Sequence, residues 1–302
     1  MLDYPSLRAV AAIAQTGSFE RAAEQLGVTP SAVSQRVKQL EERLGAALIV
    51  RGQPCIATQQ GERLCRHMER VGVLEGELFD QLPGLSGQSG RQPPSLQIAV
   101  NADSLGTWLM SGLASYARES GHIVNVTVDD QDHTAEWLEK GKVLAAVTGH
   151  AKPVHGCRRI RLGALRYHAT ASPDYMRRYF PAGVDRASLQ RAPAINFNQK
   201  DRLQDQWIAA TFGKPVVHQS HGLPSTHAFV DAALGGMGWG MNPAMLVNEH
   251  LKSGRLVELI AQTPIDVELY WQVSRLSAEA LSGLTRAVFA VARSTLHQHQ
   301  GN

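Results

Sequence analysis

Hydrophobic positions recur at helical spacing through the first sixty residues. In residues 7–15, Leu7, Val10, Ala11 and Ala14 fall at i, i+3, i+4 and i+7, which predicts an amphipathic helix stopped by Gly17. Ser18 is the natural N-cap of a second helix, where Phe19, Ala22, Ala23 and Leu26 repeat the spacing before Gly27 ends it. After Val28, Thr29 and Pro30 supply a cap and a first-turn proline for a third helix that runs to Leu44, with Gly45 as its stop. Val33, Val37, Leu40 and Leu44 share one side of that helix, and Ser31, Ser34, Gln35 and Lys38 share the other. Two short helices joined by a tight Gly-containing turn form a helix-turn-helix pattern. From Thr58 a proline-free run, TQQGERLCRHMERVGVLEGELFDQL, predicts a long helix. Its Leu64, Met68, Val71, Leu78 and Leu82 approximate a heptad seam interrupted by Glu75. An amphipathic helix packed on its own domain fits the same pattern.

The period then changes. PGLSGQSGRQPPS (83–95) concentrates Gly, Pro and Ser and marks a domain boundary. Beyond it, SLQIAVN (95–101), HIVNVTVDD (122–130) and KVLAAVTG (142–149) read as strands. They alternate with a helix opening at Asp103-Ser104 and a helix over TAEWLEKG. Such alternation implies a parallel sheet with right-handed crossovers. It recurs at PAINF, RLQDQWIAATFG, PVVHQS, a helix from Ser225 and the run GMGWGMNP (236–243). VELYWQVS (267–274) predicts a strand returning to the first sub-domain, and a last helix runs from Ser277 towards His297.

Composition narrows the class. A chain of 302 residues suits two or three domains, and 43% hydrophobic with 19% charged residues excludes wholesale disorder. No run of about 18 apolar residues suggests a membrane span, and MLDYPSLRAV does not have the build of a secretory leader. Cys55, Cys65 and Cys157 share no metal or redox spacing, which fits a reducing cytoplasm. Cys65 reads as a small apolar filler on the long helix rather than a redox switch. The formal charge of +3 does not by itself announce a nucleic-acid binder. Residues 1–60 hold six Lys/Arg against five Asp/Glu, so a grip on DNA rests on a few placed cations.

Two sets of residues carry candidate chemistry. On the third helix, Ser31, Ser34, Gln35 and Lys38 offer hydroxyls, an amide and a cation near a helix N-terminus, groups suited to base edges and phosphates in a major groove. In the second half, three strand ends are polar: Asp103-Ser104, Asp129-Asp130 and Thr148. Open α/β sheets bind ligands at that edge. A helix start suits a carboxylate and a cluster of aspartates suits a cation, the form of a basic amino acid. Asp103 as a simple helix cap, with the Asp pair as a solvated turn, fits the residues as well. An enzyme finds little support. His218, His221 and His227 match no zinc spacing, GGMGWG lacks the G-x-G-x-x-G order, and G-x-S-x-G and Walker runs are absent. A peroxide sensor would want two cysteines in this half, and only Cys157 lies there.

The run RAAEQLGVTPSAVSQRVKQLEERLGAALIVR (21–51) resembles the winged helix-turn-helix of LysR-type transcriptional regulators. Ala22, Ala23, Leu26, Ser31, Ser34, Leu40, Glu41, Leu44, Gly45, Leu48, Arg51, Thr58 and Gly61 carry the likeness, and Val50 departs where the family usually has Phe. NADSLGTWLM, VTVDDQD, YFPAGV, STHAFV and LYW are similar to the ArgP/LysG branch, whose members sense lysine or arginine and control genes such as basic amino-acid exporters. Met110-Ser111 and the glycine-rich 235–242 depart from it. The resemblance implies an N-terminal all-α winged helix-turn-helix with a long linker helix, then an α/β two-lobed effector domain shaped like a periplasmic binding protein. It implies a DNA-binding domain over 1–60 and a dimerising linker helix and hinge over 61–94. The effector domain follows over 95–302, with lobe 1 at about 95–164 and 266–302 and lobe 2 at about 165–265. Thr29, Pro30, Ser31, Ser34, Gln35, Lys38 and Arg51 would face DNA. Asp103, Ser104, Asp129, Asp130, Thr148, Ser225 and Thr226 would face L-lysine or L-arginine, with no cofactor or metal. The implied partners are promoter DNA, further copies of the chain in a dimer of dimers, and RNA polymerase, and the implied location is cytoplasmic and nucleoid-associated. A regulator sensing another metabolite, or a ligand-binding protein or enzyme whose N-terminal helices only dimerise, are the competing readings.

Overall fold

The computed structural model describes residues 2–82, 95–129 and 134–298. It divides into two compact units, Met1–Leu96 and Gln97–Asn302. The boundary run 83–94 lies outside the described residues.

In the first unit, α1 (Tyr4–Thr16), α2 (Phe19–Leu26) and α3 (Pro30–Leu44) end on Gly17, Gly27 and Gly45, all left-handed with φ of 71°, 64° and 66°. Glycine bears no Cβ penalty there, so these three positions set the helix lengths. Ser18 accepts from the backbone N–H of Glu20 and Arg21, and Thr29 from that of Ala32. Leu7, Val10, Ile13, Val33, Val37 and Leu40 form the common core. Leu44 departs from the expected stripe: it is 50% exposed, on the last residue of α3 and past the turns that pack on the core. Strands β1 (Ile49–Val50) and β2 (Ile56–Ala57) pair antiparallel as the wing. Glu41 of α3 accepts from Leu48 N at 2.7 Å and Ile49 N at 3.2 Å, which ties the wing to α3.

Helix α4 (Gln59–Gln81) starts at Thr58, whose hydroxyl accepts from Gly61 N and donates to Ala47 O. Its expected seam divides in two. Leu64, Met68 and Val71 pack on the core of the unit, whereas Leu74, Leu78 and Leu82 stand about half exposed. Glu75, which interrupts the apolar register, pairs with Arg8 of α1 at 3.2 Å.

The second unit begins with β3 (Ser95–Asn101) and a helical stretch of three parts: α5 (Ala102–Ser104), a π-helical turn (Leu105–Leu109) and α6 (Met110–Ser120). Then come β4 (Ile123–Asp129), α7 (Thr134–Glu139), β5 (Ala145–Thr148) and β6 (Cys157–Ala171). A second group comprises α8 (Pro173–Tyr179), α9 (Arg186–Arg191), β7 (Ala194–Asn196), α10 (Leu203–Phe212), β8 (Ser220–Gly222), α11 (Thr226–Leu234), β9 (Gly240–Pro243), α12 (Ala244–Lys252) and β10 (Val257–Glu258). β11 (Ile265–Ser274) and α13 (Ser282–Thr295) return to the first group.

β3 and β5 are parallel, as expected, and β11 lies antiparallel between β5 and β6. The sheet order is β10-β6-β11-β5-β3-β4, with β9 also on β6. β6, unforeseen in the sequence, spans both lobes: its first part pairs with β11 and its last with β9 and β10. In lobe 2, β7 and β8 are parallel, and the fully buried rings of Trp207 and Trp239 pack 5.3 Å apart, tilted by 54°. The expected strand PVVHQS is displaced. Val217 is 90% exposed, and pairing starts only at Ser220.

Gly61 has no room for a side chain, because a Cβ there would run into the Leu48 carbonyl oxygen. Gly61→Ala is expected to lower stability by about 1–3 kcal/mol, the range for overpacking, read as a lower denaturant midpoint of the N-terminal unit. An unchanged midpoint would mean that the wing and α4 are not packed as described.

Candidate DNA-reading surface and effector cleft

On the first unit, Thr29 is used as a cap and its hydroxyl lies 3.0 Å from that of Ser31. Pro30 opens α3, fixing φ for its first turn. Ser31, Gln35 and Lys38 are exposed and Ser34 is half-buried, so the polar face of α3 is presented as the helical spacing predicted. Lys38 pairs only loosely with Glu42, at 3.8 Å with 71% of its side chain exposed. Exposed helical pairs of this kind contribute about 0.3–0.5 kcal/mol, so the amine is only weakly held. Arg51, exposed at the end of β1, holds its guanidinium over the Phe19 ring at 5.2 Å. That contact joins the wing to the start of α2 and leaves the cation facing out.

In the second unit, a cleft of about 490 Å³, measured with its open mouth, lies between the lobes. Asn101, Ala102 and Asp103 line it from the carboxyl end of β3, and Asp129 from that of β4. Phe197, Asp201, Leu203 and Gln204 line it from the segment after β7, and Thr226 and Phe229 from α11. Its lining holds three carboxylates and no Lys or Arg among the described residues.

The carboxylate of Asp103 is engaged by both lobes' chain. It accepts from Tyr167 of β6 at 2.7 Å and from Thr226 of α11 at 2.6 Å. It is therefore no helix cap; Asn101 stands at the cap position. Gly106 closes the approach, since a Cβ there would lie 3.3–3.4 Å from His227 and Thr226. Asp129 accepts from the indole N–H of Trp137 at 3.0 Å.

Of the residues expected at the effector, Asp103, Asp129 and Thr226 line the cleft, and Asp130 lies outside the described residues. The remaining three are not among its lining residues. Ser104 is fully buried with its hydroxyl unpartnered. Thr148 is buried and accepts from His150 N, securing the turn after β5. Ser225 caps α11 by accepting from Ala228 N. Sequence reasoning missed Asp201 and Gln204. The signal available was the N-x-x-D spacing of Asn198 and Asp201 ahead of a helix, where Asp201 accepts from Phe197 N and Leu203 N.

The alternative chemistries gain nothing from the geometry. Burial, with Glu69 and Glu62 alongside, pushes the Cys65 thiol up to about 11 and keeps it protonated. Burial raises Cys157 too. His218 sits 6.1 Å from the Trp239 ring and contacts Val216 O. Among the described residues no three His, Cys, Asp or Glu gather to hold a metal. No described helix is long and apolar enough to cross a membrane.

Residues 5–62 match the model of the bacterial regulatory helix-turn-helix protein, lysR family, and 89–296 that of the LysR substrate binding domain. The chain is 40% identical over 301 residues to the HTH-type transcriptional regulator ArgP of Pseudomonas aeruginosa, covering 100% of this chain and 99% of that protein. The crystal structure of ArgP from Mycobacterium tuberculosis is 38% identical, covers 99% of this chain and 100% of its own, and superposes with a TM-score of 0.78. Full-length LysG from Corynebacterium glutamicum with bound effector Arg is 34% identical, with 98% and 100% covered and a TM-score of 0.66. A winged helix-turn-helix joined to a two-lobed α/β domain defines a class of DNA-binding regulators rather than catalysts. The chain belongs to the LysR family, in its ArgP/LysG branch.

The Asp103 arrangement makes a direct prediction. Thr226→Val removes one donor from a half-buried carboxylate and is expected to cost about 1–3 kcal/mol, seen as a lower urea midpoint of the effector domain. No change would show that the hydroxyl is not needed at Asp103.

Proposed function

We propose that this regulator senses a basic amino acid, lysine or arginine, and controls genes for its export or metabolism. The observation carrying this reading is the cleft lined by Asp103, Asp129 and Asp201 with no cation among its lining residues. A net-anionic, partly desolvated site favours a ligand bearing an extra positive charge. The LysG relative bound to Arg supports the same ligand class. The backbone N–H groups at the start of α11, by Thr226, suit the ligand's carboxylate. Phe197, Phe229 and Met241 give the aliphatic stem an apolar wall.

In this reading the polar face of α3 enters the major groove through Ser31, Ser34, Gln35 and Lys38, with Thr29-Pro30 setting its start and Arg51 reaching phosphate from the wing. The exposed row Leu74, Leu78 and Leu82 of α4 pairs protomers. Dimers then pair into a tetramer that doubles the few cations available to DNA and meets RNA polymerase at the promoter. Ligand acts by binding one arrangement of the tetramer better than the other, which is the requirement for any population shift.

Two measurements test this. Asp129→Asn should weaken arginine or lysine binding by about tenfold or more in calorimetry, the order expected for loss of a charge-assisted contact, while leaving operator binding without ligand intact; unchanged affinity removes Asp129 from the site. In a gel-shift titration on the chain's own promoter region, affinity should fall with salt, and Lys38→Ala should reduce the slope by about one per protomer. Absence of a salt dependence would contradict DNA reading by these cations.

A further inference from the structure

We infer that selection for a cationic side chain is made by lobe 2, through Asp201 and Gln204, with Asn101 lining the same cleft from the end of β3 in lobe 1. This inference rests on the basic-amino-acid reading and goes beyond it by dividing the cleft's labour. The Asp201 carboxylate is fixed by two backbone donors, Phe197 N at 2.9 Å and Leu203 N at 3.0 Å, and its own N–H reaches Asn198 Oδ1 at 3.2 Å. One turn further on, Gln204 is 1% exposed, and its amide donates to Ile195 O. That bond fixes the orientation of the amide: Nε2 faces Ile195, and Oε1 is left without a donor. Asn101, 3% exposed at the end of β3, likewise has an Oδ1 with no donor.

All three residues line one cavity. Buried acceptors without donors are costly and rare, and here two of them sit at a single cleft beside a rigid carboxylate. The missing component is a group with several N–H donors and a positive charge. A guanidinium supplies five donors and an ammonium three. A side chain without N–H donors would leave Gln204 Oε1 and Asn101 Oδ1 unsatisfied, and that kind of loss is how polar sites reject analogues strongly; among side chains that carry donors, the Asp201 carboxylate favours the charged one. Contact from both lobes at once would also make the side-chain cation a bridge that favours a closed cleft.

The test uses full-length protein, calorimetry, and L-arginine against its neutral isostere L-citrulline. The wild-type protein should bind arginine at least about 30-fold more tightly than citrulline, and Asp201→Asn should reduce that ratio to about fivefold or less, the scale of one buried charge-assisted pair. A purely structural role for Asp201 would weaken both ligands together and leave the ratio unchanged, which overturns the inference. Thermal unfolding checks that the variant folds, and if it does not, the same ratio in Gln204→Met decides by the same criterion. Failure of the wild-type protein to bind either arginine or lysine would instead overturn the proposed function itself.

Discussion

Fifteen consecutive residues of β6 run through both lobes of the effector domain, and the geometry of the cleft depends on that continuity. Its first part is zipped to β11, which lies beside β5 in lobe 1, and its last part holds β9 and β10 of lobe 2. Tyr167 sits where the partners change, opposite Ile265 of β11 and Pro243 of β9. Its hydroxyl donates to Asp103, and Thr226 reaches the same carboxylate from α11. One carboxylate therefore gathers the end of β3, the crossing strand and the opening of a lobe-2 helix. The cleft is shaped by shared backbone and locked by a small hydrogen-bonded cluster.

Charge acts locally in both units. The total of +3 says little, because six basic and five acidic residues are nearly balanced over the first sixty positions. What matters is that Lys38 and Arg51 stand exposed on α3 and the wing, held by a loose ion pair and a ring contact. Such exposed contacts are weak and cost little to give up. In the effector domain the larger basic share does not reach the cleft. Arg161 is paired with Glu268 and Arg166 with Asp266, each through two hydrogen bonds of 2.7–2.8 Å. With those cations neutralised across the strand pair, the three aspartates set the character of the cleft.

The same pairing explains what the sequence concealed. Local signals were legible: the glycine stops, the Ser18, Thr29 and Thr58 caps, and the strands at 95–101 and 123–129 depend on neighbours within a few residues. β6 was not legible, because Arg158, Arg159, Arg161 and Arg166 give CRRIRLGALRYHATA a polar look that only its distant partner β11 resolves. PVVHQS misled in the opposite way, since Val216 is buried but Val217 faces solvent, and the pairing edge lies further on at Ser220. Asp103, Asp129 and Thr226, expected from the rule that ligands sit at strand and helix ends, line the cleft. Asp201 and Gln204 escaped because they reach it from a loop and a short helix whose approach depends on lobe packing. Thr148 and Ser225 carry the expected polarity but spend it on local backbone.

The central claim is that an anionic cleft in a LysR-type regulator selects basic amino acids. A thermal-shift screen of the twenty amino acids on the full-length protein tests it most directly, because any ligand bound only by the native state raises the unfolding midpoint, by an amount that grows with the logarithm of its concentration relative to Kd. Stabilisation by arginine or lysine, with no comparable effect of the neutral and acidic amino acids, is the predicted result. Stabilisation by glutamate, aspartate or a neutral amino acid, without effect of either basic one, would contradict the account.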